Sequence, residues 1–218
     1  MGRFKAVLIV WSILLLPAAV MAAGSTVVLT GIQAEIEMPP GWTQQETSGE
    51  EGVLLRAEND EGVKMSITCQ SGEVSTGQWN LTLYEDSECE SLGRSLAESL
   101  EKGGYDHVEC ELHKKEQANW LRLTWEKTSQ DGVLLFGVQY YTAVNGQSIT
   151  VAYTKEAAKM TEEEMAEMDQ MIGSIRFSKI QEKPAQEDHS WTTRLIWVAL
   201  LAAGGLFTYA VTRKRGKR

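Results

Sequence analysis

The chain has 218 residues and a formal net charge of −9, which allows one or two domains. Of its 21 basic residues, Arg3 and Lys5 stand at the start, and Arg194, Arg213, Lys214, Arg215, Lys217 and Arg218 flank a C-terminal apolar run. That leaves 13 basic against all 30 acidic residues between them, a net of −17. A body so acidic repels nucleic acid and anionic headgroups, excludes nucleic acid as a partner, and suits either plain solubility or a cationic partner.

The first residues read as an export signal. Arg3 and Lys5 precede the apolar stretch Ala6 to Leu16, and Pro17 and a run of small residues follow. A short positive region, an apolar core too brief to span comfortably and a small-residue site predict a signal peptide over residues 1–23. Cleavage is expected after Ala22 or Ala23, with Val20 and Ala22 at the −3 and −1 positions. An uncleaved N-terminal anchor is the alternative.

One globular domain is expected over residues 24–178. Its first strand covers about Ile32 to Glu37 and ends at Met38-Pro39-Pro40-Gly41-Trp42, since proline cannot donate to a ladder. Strands over Gly52 to Ala57 and Val63 to Cys69 flank the turn Asn59-Asp60-Glu61-Gly62. A helix follows over Tyr84 to Lys102, capped by Asp86 or Ser87, with Leu92, Leu96 and Leu100 as its apolar stripe and Gly103-Gly104 as its stop. Four strands make a meander: His107 to His113, Trp120 to Lys127, Leu134 to Ala143 and Ser148 to Tyr153. Asp131-Gly132 and Asn145-Gly146 mark two of its turns. A last helix runs from Glu162 to Ile172, with Thr161 and Glu164 forming a capping box and Met165, Met168, Met171 and Ile172 on one face. The extended stretch Ser174 to Phe177 closes an α+β domain, an antiparallel sheet with two packed helices.

Residues 179–191 are polar and read as a juxtamembrane linker. The uncharged run from Leu195 to Val211 predicts one transmembrane helix over 192–212, about 31 Å long, with Trp191, Trp197 and Tyr209 at its ends. The basic tail 213–218 belongs in the cytoplasm by the positive-inside rule, and the acidic body outside. No Leu-Pro-x-Thr-Gly pentapeptide precedes the run, which argues against cell-wall sorting, and the basic end argues against a lipid-anchor signal.

The opening strand that closes on Pro40-Gly41-Trp42 and the final helix that runs into Ser174-Ile175-Arg176-Phe177 resemble the PsbP-like family. The resemblance covers roughly residues 30 to 178. It implies an α/β/α sandwich and a non-enzymatic scaffold for binding other proteins, as in exported bacterial members of unknown role. It carries over no partner-binding residue, and nothing here suggests a photosystem or Ran as partner.

Chemistry is sparse. No Gly-x-Ser-x-Gly hydrolase motif occurs, and His189 lies in the linker. His107 and His113 share a strand face about 20 Å apart, too far to act together. Neither Cys-x-x-Cys nor His-x-x-x-His spacing occurs, and the acidic clusters fit no calcium loop, so no metal or other cofactor is expected. Cys69, Cys89 and Cys110 fall on apolar faces and read as buried thiols, with a Cys69–Cys89 disulfide as the alternative. Trp79, in a polar loop, is the candidate partner-binding aromatic. Asn80-Leu81-Thr82 is a glycosylation sequon that matters only in a host able to use it. The expected function is a membrane-anchored extracytoplasmic binding module, held by its single span and engaging an envelope or membrane protein. An enzyme or complex subunit with a cryptic site, or a small-ligand sensor coupled through the span, is the alternative.

Overall fold

A computed structural model describes residues 24–47, 50–70 and 79–181 of the chain. The expected leader 1–23, the linker beyond Gln181, the span 192–212 and the tail 213–218 lie outside the described residues. Among those described, no helix is long and apolar enough to cross a membrane.

The alternating segments form strands where the pattern predicts them. β1 (Ser25–Leu29), β2 (Ala34–Met38), β3 (Trp42–Gln45), β4 (Val53–Asn59) and β5 (Lys64–Gln70) precede helix α1 (Asp86–Lys102). The meander β6 (Asp106–Lys114), β7 (Asn119–Thr128), β8 (Leu134–Val144) and β9 (Gln147–Glu156) follows, then helix α2 (Glu162–Ser174) and the short β10 (Arg176–Phe177). Seven strands make one antiparallel sheet in the order β3-β4-β5-β9-β8-β7-β6. A smaller sheet has the order β1-β2-β10.

The large sheet is apolar on both faces at its centre, so both faces must be covered. Every residue of β8 after Leu134 is buried. Val138, Tyr140 and Val144 join Trp120, Val151 and Tyr153 on one face, under Met168, Met171 and Ile172 of α2 and Leu29, Ile36 and Phe177 of the small sheet. Leu135 and Tyr141 join Leu121, Leu123 and Trp125 on the other, under Cys89, Leu96 and Leu100 of α1. The result is the α/β/α sandwich expected.

Local chemistry sets the element ends. The α1 start is a capping box between Glu85 and Glu88, one residue before the expected cap. At its end Tyr105 N–H returns to the Leu100 carbonyl and Gly104 N–H to Glu101, with Gly104 at φ 77°, a Schellman turn. Thr161 and Glu164 cap α2 as expected. Asn145 and Gly146 turn β8 into β9 with φ of 54° and 73°.

Two strands escape the sequence pattern, and one expected strand is shortened. Thr30–Ile32 is a 3-10 turn and Gln33 is left-handed, so the strand expected from Ile32 begins at Ala34. β1 places Val27 and Val28 side by side, leaving Val28 60% exposed and blurring alternation. β3 is a polar edge strand held by its pairing with β4, not by burial.

Gly137 of β8 lies directly opposite Trp125, whose indole occupies the space a Cβ would need. The same ring meets Tyr105 edge-on at 4.8 Å. Gly137→Ala therefore overpacks the α1 face, and we expect a loss of about 1–3 kcal/mol. In urea unfolding this lowers the midpoint at constant slope.

Candidate functional site

Side chains at the β8–β9 turn hold the outgoing chain. Trp79 is half-buried, its indole N–H donates to the Gln181 carbonyl at 3.1 Å, and its own carbonyl accepts Gly146 N–H. Asn80, buried at 4% exposure, donates its amide to the same Gln181 carbonyl at 3.0 Å and accepts Asn145 N–H at 2.7 Å. Asn145 in turn donates to the Lys179 carbonyl and accepts Gln181 N–H. Residues 179–181, expected as the start of the juxtamembrane linker, are fastened to the body. Trp79 sits in this clamp rather than on an open loop, and the sequon asparagine spends its amide inside it.

A groove of about 630 Å³ runs between α2 and the corner after β2. Met38, Pro39, Pro40, Ala166 and Met171 give it apolar walls, and Glu37, Glu163 and Glu167 supply carboxylates. Along α2 the lining residues 163, 166, 167, 170 and 174 recur at helical spacing, a stripe beside the buried one. Trp42 Nε1–H fixes the Glu167 carboxylate at 2.7 Å, and Ser174 Oγ accepts Glu37 N–H at 3.0 Å. None of the lining residues is basic. Among the described residues no Lys, Arg or His pairs with Glu37, Glu163 or Glu167. Gln147 ties Gly31 to the clamp end of the sheet, and β2 runs away from it. The groove corner at Pro39 thus lies roughly 20 Å further along at strand rise.

The third polar cluster is a rivet between sheet and α2. Arg122 donates to Glu111 at 2.6 Å and to Asp169 at 3.2 Å, and Tyr140 Oη donates to Asp169 at 2.7 Å. His113 stands 3.5 Å from Asp169 and 3.4 Å from Glu111. The Arg122 hydrogen bond, then that of His113, holds the Glu111 carboxyl below the usual range, and burial pushes the Tyr140 phenol up. Arg122 is thereby committed to two carboxylates. His107 is exposed at a bulge with φ 51°, so the structure does not gather the two histidines.

The Cys69–Cys89 alternative is corrected. Both residues and Cys110 are free thiols. Cys69 packs on the α2 face and Cys89 on the α1 face, with the sheet between them. Burial pushes the Cys69 and Cys110 thiols up to about 11, so they are protonated at neutral pH. Among the described residues no three His, Cys, Asp or Glu side chains converge on a metal position. The three groove carboxylates therefore do not converge on one metal position.

The residues that sequence reasoning passed over are the groove's. Pro39-Pro40 reads as a strand terminator and Glu163 as a helix-start acid, which both are. Only the fold sets them face to face.

No protein-family model matches the sequence, and no curated protein matches it significantly. In three dimensions the chain is similar to the cyanobacterial PsbP, CyanoP, of Synechocystis sp. PCC 6803, at 14% identity, 73% coverage of this chain, 95% of that one and a TM-score of 0.47. It is also similar to a protein of Bacteroides thetaiotaomicron, at 16% identity, 72% coverage of this chain, 49% of that one and a TM-score of 0.45. A further likeness is to LpqN, involved in cell envelope biogenesis of Mycobacterium tuberculosis, at 10% identity, 70% and 87% coverage and a TM-score of 0.41. The first of these bears the PsbP name that the sequence resemblance also bears. The likeness is one of fold.

Two outcomes are expected here. Asn80→Ala removes two hydrogen bonds and strands Asn145 N–H, costing about 2 kcal/mol in urea unfolding, whereas Trp79→Phe removes one, about 0.5–1 kcal/mol. A folded-state carboxyl held low stabilises above the ordinary Glu range, near about 4, and that share is lost as pH falls through its folded value. The melting temperature therefore drops on acidification, and Glu111→Gln flattens part of that drop in a scan from neutral pH to about 3.

Proposed function

We propose that the chain is an extracytoplasmic binding module, held at the membrane by the uncharged run after its body and acting on an envelope or membrane protein. The observation that carries the reading is the clamp. Trp79, Asn80 and Asn145 spend their polar groups on main-chain atoms of 179–181, at one end of the sheet. A body whose C-terminal exit is secured in this way keeps a fixed end toward whatever follows, and in the sequence an apolar run and a basic tail follow. The groove lies toward the far end of β2 from that exit, where a partner beside the bilayer can reach it. Its lining brings together no histidine, cysteine or serine–base pair of the kind nucleophilic catalysis uses, which favours binding over chemistry.

Protease added to cells with a permeable outer layer should remove the body, and sealed inverted vesicles should protect it. The opposite pattern, protection in cells and digestion in inverted vesicles, would sink the proposal.

A further inference from the structure

We infer that the groove between α2 and Pro39-Pro40 docks a short cationic, apolar-flanked peptide segment of a partner protein. This rests on the binding-module reading and names the chemistry of its occupant. The volume, about 630 Å³, lies within the range of built ligand sites, about 300–1,000 Å³. Its apolar walls can take aliphatic side chains, while Glu163 and Glu167, one helical turn or about 6 Å apart, can each meet a separate cation. Glu37 lines the opposite wall.

Three arguments select this occupant. First, the body bears a net charge of −16 over residues 24–178, and several of its scarce bases are matched to carboxylates elsewhere: Arg56 to Glu50, Arg122 to Glu111 and Asp169, Lys155 to Glu164. Among the described residues no Lys, Arg or His pairs with the groove carboxylates, so a cationic partner can supply charge complementarity. Second, the carboxylates do not converge, which suits cations spread along a peptide and not a single metal ion. Third, Trp42 holds Glu167 before any partner arrives, lowering the ordering cost of binding. Proline also lacks the N–H that an added strand would need, so the Pro39-Pro40 wall contacts side chains rather than extending a sheet.

The test uses the full chain in lipid nanodiscs and a fluorescent eight-residue peptide alternating Lys or Arg with Leu, read by anisotropy. Binding should weaken as salt rises. The Glu163→Gln/Glu167→Gln double variant should bind about tenfold more weakly while still unfolding in one cooperative urea transition. Ala166→Lys, which keeps every carboxylate and adds a cation, should weaken it similarly. A Glu90→Gln/Glu101→Gln variant on exposed α1 positions, losing the same charge, should bind within about twofold of the parent. Equal loss in that control means bulk attraction and overturns the site. Equal binding of a Ser-for-Lys peptide overturns the cationic occupant. A groove variant that shifts the chain's own association state without touching peptide binding makes the face a self-contact and overturns it as well. Because protease topology is read separately, absent peptide binding with the body outside defeats this inference alone.

Discussion

The rest of the molecule depends on a sheet whose middle strands are apolar on both sides. β8 buries every residue from Leu135 to Val144, because Tyr140 and Val138 need cover on one face and Tyr141 and Leu135 on the other. A single helix covers one face only. The chain therefore inserts α1 between β5 and β6, where it falls on one side, and brings α2 and the small sheet onto the other. Burying a large apolar side chain stabilises by about 1.5–3 kcal/mol, and the wide Trp and Tyr rings dominate both layers. Groove and clamp are by-products of that requirement. α2 does not cover its face alone, so the small sheet must share it, and the groove opens along their seam.

Much of the architecture was legible from the residues. The period-two stretches, the Asn145-Gly146 turn and the Thr161–Glu164 capping box each follow from local rules, and tertiary packing agrees with them. What was not legible depends on partners far along the chain. β3 has no apolar alternation and exists because its backbone pairs with β4. The α1 cap fell one residue early because a glutamate with a matching glutamate three residues on can replace the usual short side chain. His107 and His113 kept the expected parity in sequence, but the bulge between Asp106 and Glu109 broke it in space.

The candidate site was less legible still, for a physical reason. Trp79 was singled out because an aromatic in a polar loop suggests exposure, yet its indole N–H finds a carbonyl 102 residues away. Polar loops conceal such pairings because hydrogen bonds to main chain carry no sequence signature. The groove shows the converse. Its acids fit two readings at once: Glu163 favours the helix dipole at the α2 start, and it also faces the Pro39-Pro40 corner.

The distribution of ion pairs separates those two readings. If acidity served solubility alone, carboxylates would scatter without regard to shape, and the few bases would pair with whichever acids stood nearest. Instead, Glu50 and Glu164, both buried or nearly so, have cations, and Asp169, half-buried, has Arg122. Burying a charge unpaired is costly, so these withdrawn acids need their cations, while other bases pair with exposed acids such as Glu98, Asp86 and Glu116. Glu163 and Glu37 remain solvated and can stay unpaired at little cost while the groove is empty. An occupant that covers them changes this balance, because a neutral segment would strand their charge and a cationic one would answer it. Selectivity for positive partners then follows from desolvation, with no further recognition element required.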